Sequence, residues 1–189
     1  MAALGSIPDL KRRLVLSPDD AEARWQLGEA LLREGDADGA ARQLERAARL
    51  DPSLPGVFLL LGKALEQQQR PGAACEALRA HLRQHPGDAA AHGELAEILE
   101  IGGFLDEALL HAERAAEAAG QGGADPAGRL LRVVELCQRK GLEERAVVHL
   151  RRALRRGPEG RLLAALRELY IDLGDERSEE RRVGKECLR

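Results

Sequence analysis

Histidines and cysteines are the side chains of this chain that could hold a metal ion or attack a substrate. His81 and His85 are four residues apart, a spacing that directs two imidazoles toward one side of a helix and one metal ion. No third ligand stands near them in the sequence, and histidines on a helix surface are the commoner situation. His92, His111 and His149 have no partner at a fixed spacing. We therefore predict no bound metal.

Signatures of catalysis are also absent from the sequence. It contains no G-x-S-x-G elbow, no glycine-rich phosphate loop, no H-E-x-x-H motif and no kinase signature. Cys75, Cys137 and Cys187 are too few and too far apart for a disulfide framework or a structural zinc site. We expect Cys137 to be a small buried apolar residue. The sequence thus predicts neither an enzyme nor a cofactor.

Composition limits the partners and the compartment. The 189 residues carry a net charge of −3, and 2% of them are aromatic. A charge this small, without a basic stripe that contains aromatics, argues against a nucleic-acid partner. The N-terminal residues lack the apolar stretch of a signal peptide, and no window approaches the roughly 18 apolar residues of a membrane span. We expect a cytoplasmic protein that binds neither nucleic acid nor membrane.

A repeat with a period of 34 residues organises most of the chain. Each period contains two amphipathic helical segments that are joined at a turn and closed by a proline. Small residues and leucines recur at fixed places in the period. These positions are Gly28, Gly62 and Ala96; Leu31, Leu65 and Leu99; Ala40, Ala74 and Ala108; and Pro52 and Pro86. A period of this length with two helices is typical of one class of repeat protein.

The first complete period resembles the tetratricopeptide repeat. The residues that carry the resemblance are Trp25, Gln26, Leu27, Gly28, Leu31, Gly35, Ala40, Leu44, Ala47 and Pro52. The resemblance covers most of the chain and implies an all-α fold: a right-handed superhelical solenoid of antiparallel helix pairs, with about four full units and partial end units. We expect Gly28 and Ala40 where the helices of a pair cross, because a longer side chain there would push the backbones apart.

The phase of the repeat predicts the boundaries. We expect a leading capping helix in residues 1–20, a repeat array in 21–176, and a non-native tail in 177–189. The predicted units are about 21–54, 55–88, 89–122, 127–159 and a partial 160–176, with a flexible linker over 120–126. Ser17 is expected to cap the helix of the first full unit. The predicted helices are Ile7–Leu16, Ala21–Arg33, Ala37–Leu50, Pro55–Gln68 and Gly72–His85.

Two stretches depart from the pattern. Val134 occupies the small-residue position of the fourth unit, and Ala146 is back in phase. Residues 177–187 resemble one reading frame of a widely used sequencing adapter, and the repeat fails just before them, since Glu179 stands at the next alanine position. We expect the natural sequence to diverge near Glu176 and to continue with a helix that covers the last apolar face. A genuine charged C-terminal helix is the alternative.

In tetratricopeptide arrays the first helices line a concave groove that takes peptides, and the resemblance implies the same here. The residue after each small position, and the residue one turn earlier, should face this groove. These candidates are Trp25, Glu29, Leu59, Lys63, Gly93, Glu97, Leu131, Glu135, Ala164 and Glu168. Their acidic bias favours a peptide that carries Lys or Arg, with Trp25 as the main contact. The alternative is a solvated helix face with Trp25 packed against the leading helix.

The sequence leaves two functions open. The first is a protein-protein interaction scaffold that holds a partner peptide in the groove. The second is an N-terminal regulatory or self-association module of a larger, truncated protein, with an enzyme among the candidates. The lysine-asparagine clamp of chaperone-binding members is not supported, because Trp25 and Glu29 stand at its positions.

Overall fold

A computed structural model of the chain describes residues 6–119, 125–157 and 159–173. The regular elements in these ranges are all α-helices, as the repeat predicts. They are α1 (Ile7–Leu16), α2 (Ala21–Glu34), α3 (Ala37–Leu50), α4 (Val57–Gln67), α5 (Pro71–Gln84), α6 (Ala89–Ile101), α7 (Leu105–Ala119), α8 (Pro126–Arg139), α9 (Glu143–Leu154) and α10 (Gly160–Asp172). None of these ten helices is long and apolar enough to cross a membrane. Most of the predicted linker and the whole adapter-like string lie outside the described residues.

Two compact units divide the chain, residues 1–103 and 104–189. In the first unit α2 packs on α3 and α4 on α5, contacts of α3 with α4 and of α5 with α6 join consecutive pairs, and α1 packs on α2. In the second unit α8 packs on α7 and on α9, and α10 packs on α9. We call α2, α4, α6, α8 and α10 first helices, and α3, α5, α7 and α9 second helices.

Small residues lie where the helices of a pair meet in the first unit. A Cβ atom added to Gly28 would lie 2.6 Å from Leu44 Cγ, and one added to Gly62 would lie 2.9 Å from Leu78 Cγ. Ala40 has no exposed surface. Carbon atoms do not approach this closely in packed interiors, so both pairs need a missing side chain to keep their helices together. The structure confirms the predicted reason for these glycines.

The start of α2 differs from the prediction. Asp20, rather than Ser17, caps this helix, and its carboxylate accepts a hydrogen bond from the Ala23 N–H at 2.9 Å. Ser17 instead ends α1, where its N–H donates to the carbonyl of Arg13. A carboxylate is the better cap here because it places a negative charge at the positive end of the helix dipole.

The helices of the second pair also start and end at other residues than predicted. α4 begins at Val57 rather than Pro55, because Gly56 adopts a left-handed conformation with φ 64°. The turn after α4 contains Gln69 with φ 58°. The equivalent residue 34 positions earlier is Gly35, with φ 84°. Since a left-handed conformation costs a residue with a side chain about 1 kcal/mol, Gln69 strains this turn.

Candidate peptide-binding face

Buried and accessible side chains lie on different sides of α2. Leu27, Gly28 and Leu31 are buried. Trp25 and Glu29 are four residues apart and keep part of their surface exposed. Because residues four apart lie on the same side of a helix, these two form an accessible strip along α2.

The same strip recurs on α4 and α6. Leu59 and Lys63 are partly exposed on α4, and Glu97 is exposed on α6. α2 contacts α4 directly, and Lys63 Nζ lies 3.1 Å from Glu94 Oε1 on α6, so the three first helices of this unit lie side by side. We call these strips the first-helix face. It consists of Trp25, Glu29, Leu59, Lys63, Glu66, Gly93, Glu94 and Glu97.

Glu94 is a residue of this face that the sequence reasoning missed. Its side chain is 25% exposed, and its Oε2 atom is buried without a hydrogen-bond partner among the described residues. Burial raises the pKa of Glu94, and the nearby Lys63 ammonium offsets only part of that effect. A signal was available, because Glu94 stands three residues before Glu97 and therefore on the same side of α6.

Trp25 is the one aromatic residue of this face. Its indole is half-buried, and the Nε1–H is covered without an acceptor in the described part of the chain. A buried donor left unpaired costs about 1–3 kcal/mol. Since a buried tryptophan N–H usually has a hydrogen-bond partner, this unsatisfied donor sets Trp25 apart from an ordinary core tryptophan.

The first-helix face carries an excess of negative charge. Glu29 pairs with Arg33 of its own helix at 2.5 Å, and the pair between α4 and α6 described above neutralises a second carboxylate. Glu66 and Glu97 are exposed and pair with no basic side chain that the structure describes. Two carboxylates therefore remain free to attract a cationic group.

First helices of the second unit show a similar strip. Leu131 is partly exposed on α8, and Glu135 is exposed and pairs with Arg132 at 2.9 Å. Ala164 and Glu168 are exposed on α10, which contacts α8 directly. The second unit thus also presents carboxylates beside small or apolar residues.

His81 and His85, the candidate metal ligands, contact each other and the cap of α6. His81 is 4% exposed, which corrects its expected place on the helix surface. Its Nε2 lies 2.8 Å from Asp88 Oδ2, and its ring centroid lies 4.8 Å from that of His85. Asp88 caps α6 by accepting from the N–H groups of Ala90 and Ala91. No group of three or more His, Cys, Asp or Glu side chains within the described ranges is placed to hold a metal ion.

Opposing effects set the acidity of this cap. Burial works against ionisation of Asp88, but the hydrogen bonds from His81 and from the N–H groups of Ala91 and Ala90 outweigh it and hold the pKa of Asp88 below its ordinary value. The ionised carboxylate therefore ties α5 to the start of α6.

The two cysteines that the structure describes lie in the interior. Cys75 and Cys137 are buried thiols outside any disulfide, and the burial of Cys137 confirms its expected place. Burial raises the pKa of the Cys137 thiol. A thiol that ionises with difficulty is a poor nucleophile. Cys187 lies outside the described residues.

Comparison with known proteins agrees with this architecture. Two family models described as tetratricopeptide repeat match residues 7–55 and 55–98. A TPR repeat-containing protein of Pseudomonas aeruginosa is 35% identical over 99 residues, which cover 52% of this chain and 90% of that protein. Both findings rest on sequence alone.

Solved structures resemble the fold as well. MamA superposes with a TM-score of 0.71 at 22% identity, over 80% of this chain and 86% of that one. YrrB, described as a TPR protein with an unusual peptide-binding site, superposes with a TM-score of 0.67 at 22% identity, over 85% of this chain and 79% of that one. These likenesses confirm the predicted class, an all-α solenoid of helix pairs. The chain belongs to the tetratricopeptide repeat family and is a scaffold of the protein-interaction type.

Proposed function

We propose that the first-helix face binds a segment of a partner protein that carries Lys or Arg, so that the chain acts by binding rather than by catalysis. The observation that carries this proposal is the pair of unpaired carboxylates, Glu66 and Glu97, on the same face as the half-buried Trp25. An aromatic anchor surrounded by charges of one sign supplies both affinity and a preference for the opposite charge. The strips of α8 and α10 also present carboxylates, Glu135 and Glu168.

The spacing of the helices indicates what the segment looks like. Packed helices lie about 8–10 Å apart, so α2 and α6 are separated by roughly 16–20 Å. An extended chain advances about 3.3 Å per residue and covers this distance in five or six residues. Lys63 is already paired with Glu94. We therefore expect an apolar residue at Trp25 and a basic residue about six positions away at Glu97.

Fluorescence anisotropy with labelled synthetic peptides tests this proposal. The probe is a twelve-residue peptide with one leucine and two lysines, which stand about three and about six residues from the leucine. Its counterpart has glutamate at both lysine positions. The double variant Glu66→Gln, Glu97→Gln should bind the lysine peptide about 2- to 30-fold more weakly, because each exposed ion pair contributes about 0.2–1 kcal/mol. The loss should shrink at high salt, where exposed charges are screened.

A matched control makes the same change of charge elsewhere. Glu45→Gln with Glu76→Gln removes two carboxylates from α3 and α5, which are second helices, and should leave the affinity unchanged. Trp25→Ala should reduce the affinity for the lysine peptide more than either double variant does. Circular dichroism should show that its helices persist. Equal losses in the two double variants, or a preference for the glutamate peptide, would contradict the proposal.

A second candidate function is self-association, and one observation favours it. Val15 and Leu16 at the end of α1 are 79% and 80% exposed, and adjacent exposed apolar side chains mark association surfaces. Sedimentation velocity of the chain and of a Val15→Ser, Leu16→Ser variant decides this. If the chain and the variant are both monomeric, self-association is ruled out and the scaffold function is the remaining candidate.

A further inference from the structure

A cleft of about 770 Å³ lies within the second unit, lined by residues of α7, α8 and α9 and by the start of α10. Its apolar lining comes from α8 and from neighbouring helices. These residues are Ala116, Ala127, Leu130, Val133, Ala153 and Leu162. A volume of this size lies in the range of ligand-binding clefts, about 300–1,000 Å³.

Two arginines of this cleft have no partner. Arg152 on α9 and Arg156 in the turn that follows α9 are exposed, line the cleft, and form neither an ion pair nor a hydrogen bond with any residue that the structure describes. The N–H groups of Arg156 and Gly157 donate to the Ala153 carbonyl, so the turn continues the winding of α9. Four residues at the helical rise place the attachment points of the two arginines about 6 Å apart. Their guanidinium groups are therefore available to a ligand.

Two of the three carboxylates that line this cleft pair with other basic side chains. Glu113 lies 2.7 Å from Arg145 and 2.9 Å from His149 Nε2. Glu159 pairs with Arg161 at 3.0 Å. Glu117 is the one exposed carboxylate of the lining without such a pair in the described ranges. Within the described ranges, two arginines without a partner therefore face one such carboxylate in this cleft, in a chain whose net charge is negative.

The other arginines of this helix end differ in their surroundings. Arg151 lies over the ring of Tyr170, 5.6 Å from its centroid, and Arg155 is exposed but does not line the cleft. Basic side chains at the end of a helix are stabilised by the helix dipole, and that effect accounts for all of them equally. It does not account for two of them facing an apolar cleft.

We propose that this cleft binds an acidic segment of a partner protein. Arginine pairs with carboxylates through two parallel hydrogen bonds. In an extended segment, side chains two residues apart lie about 6.6 Å from each other on one side, which matches the spacing of Arg152 and Arg156. An apolar side chain of the same segment packs on Leu130 and Val133. This site is independent of the first-helix face and takes ligands of the opposite charge.

The test uses the full chain and a fluorescein-labelled peptide of alternating glutamate and leucine, ten residues long. Saturable binding is expected, and Arg152→Gln with Arg156→Gln should weaken it at least tenfold. The control, Arg155→Gln, removes a charge from the same turn and should change the affinity less than twofold. A peptide of glutamate and serine should bind more weakly than the probe, because it places no apolar side chain on the floor of the cleft.

Several results would overturn the proposal. They are the absence of saturable binding, a loss with Arg155→Gln as large as with the double variant, and equal binding of a lysine and leucine peptide. Tighter binding of single-stranded RNA or of phosphatidylserine vesicles than of the acidic peptide would assign the arginines to another partner. All variants are compared at equal helix content by circular dichroism, so a folding defect cannot be mistaken for lost binding.

Discussion

Replacing Gly28 with alanine measures how closely the first helix pair is packed. The new Cβ atom would lie 2.6 Å from Leu44 Cγ and 2.9 Å from its Cδ2. Leu44 is fully buried, so it cannot swing into solvent, and either the leucine leaves its rotamer or the helices separate. Overpacking of this kind costs about 1–3 kcal/mol. Alanine gains about 1 kcal/mol over glycine inside a helix, which leaves a net loss of about 0–2 kcal/mol.

Two other glycines provide the comparison. At Gly62 the nearest atom would be Leu78 Cγ at 2.9 Å, so the clash is milder. At Gly72, inside α5, nothing lies within 4 Å of the new Cβ, and alanine should stabilise by up to about 1 kcal/mol. Urea unfolding should therefore rank Gly72→Ala above the wild type, the wild type above Gly62→Ala, and Gly28→Ala last.

A double-mutant cycle isolates the contact. Leu44→Ala alone should cost about 2–5 kcal/mol, but less in the Gly28→Ala background, where it also relieves the clash. A coupling energy above about 0.5 kcal/mol is expected for residues in contact. If Gly28→Ala stabilises the chain as much as Gly72→Ala does, or if the cycle shows no coupling, then the helix pair is not held at the distance described here.

Three further changes test local features. Gln69→Gly should raise the free energy of unfolding by up to about 1 kcal/mol, because glycine adopts φ 58° without strain. An unchanged urea midpoint would show that Gln69 is not strained. Since the pKa of Asp88 is lowered in the folded state, its contribution is complete well above the unfolded value of about 3.9 and is lost as the pH falls through the folded value. Asp88→Asn should therefore lower the melting temperature at pH 6 and reduce its dependence on pH below pH 5. If the melting temperatures of variant and wild type fall in parallel as the pH drops, Asp88 does not have this role. The pKa of Glu94 is raised, so folding loses stability as the pH rises from about 4.3 through the folded value. Glu94→Gln should remove this loss of stability, because Lys63 is 43% exposed and stays hydrated without its partner. A melting temperature of the variant below that of the wild type at pH 7 would show that the ion pair stabilises the fold more than burial of the carboxylate destabilises it.

The repeat predicts which helices form, but local chemistry decides where they end. Periodic leucines and alanines place α2 and α3 within a residue of the prediction, because a helix pair must bury the same face in every copy. Periodicity does not decide between Ser17 and Asp20 as a cap, since both are capping residues close to the helix start. The structure shows the carboxylate in that role.

The candidate site could be predicted only in part for a similar reason. The positions of Trp25 and Glu29 on the accessible side of α2 follow from their spacing to the buried Gly28. The pair of Lys63 with Glu94 joins two repeats at positions that are not equivalent, so a period of 34 residues cannot reveal it. The cleft beside Arg152 depends on how four helices, α7 to α10, are arranged around it, which no local pattern encodes.

The limits of the two compact units suggest how the protein can be dissected. The boundary at residues 103 and 104 falls between α6 and α7, inside the third repeat rather than between two repeats. A fragment that ends at Gly103 would thus finish on a first helix packed against α5 and would keep the contacts among the helices of the first unit. Expression fragments and limited proteolysis are therefore better planned around this turn than around the predicted linker over 120–126.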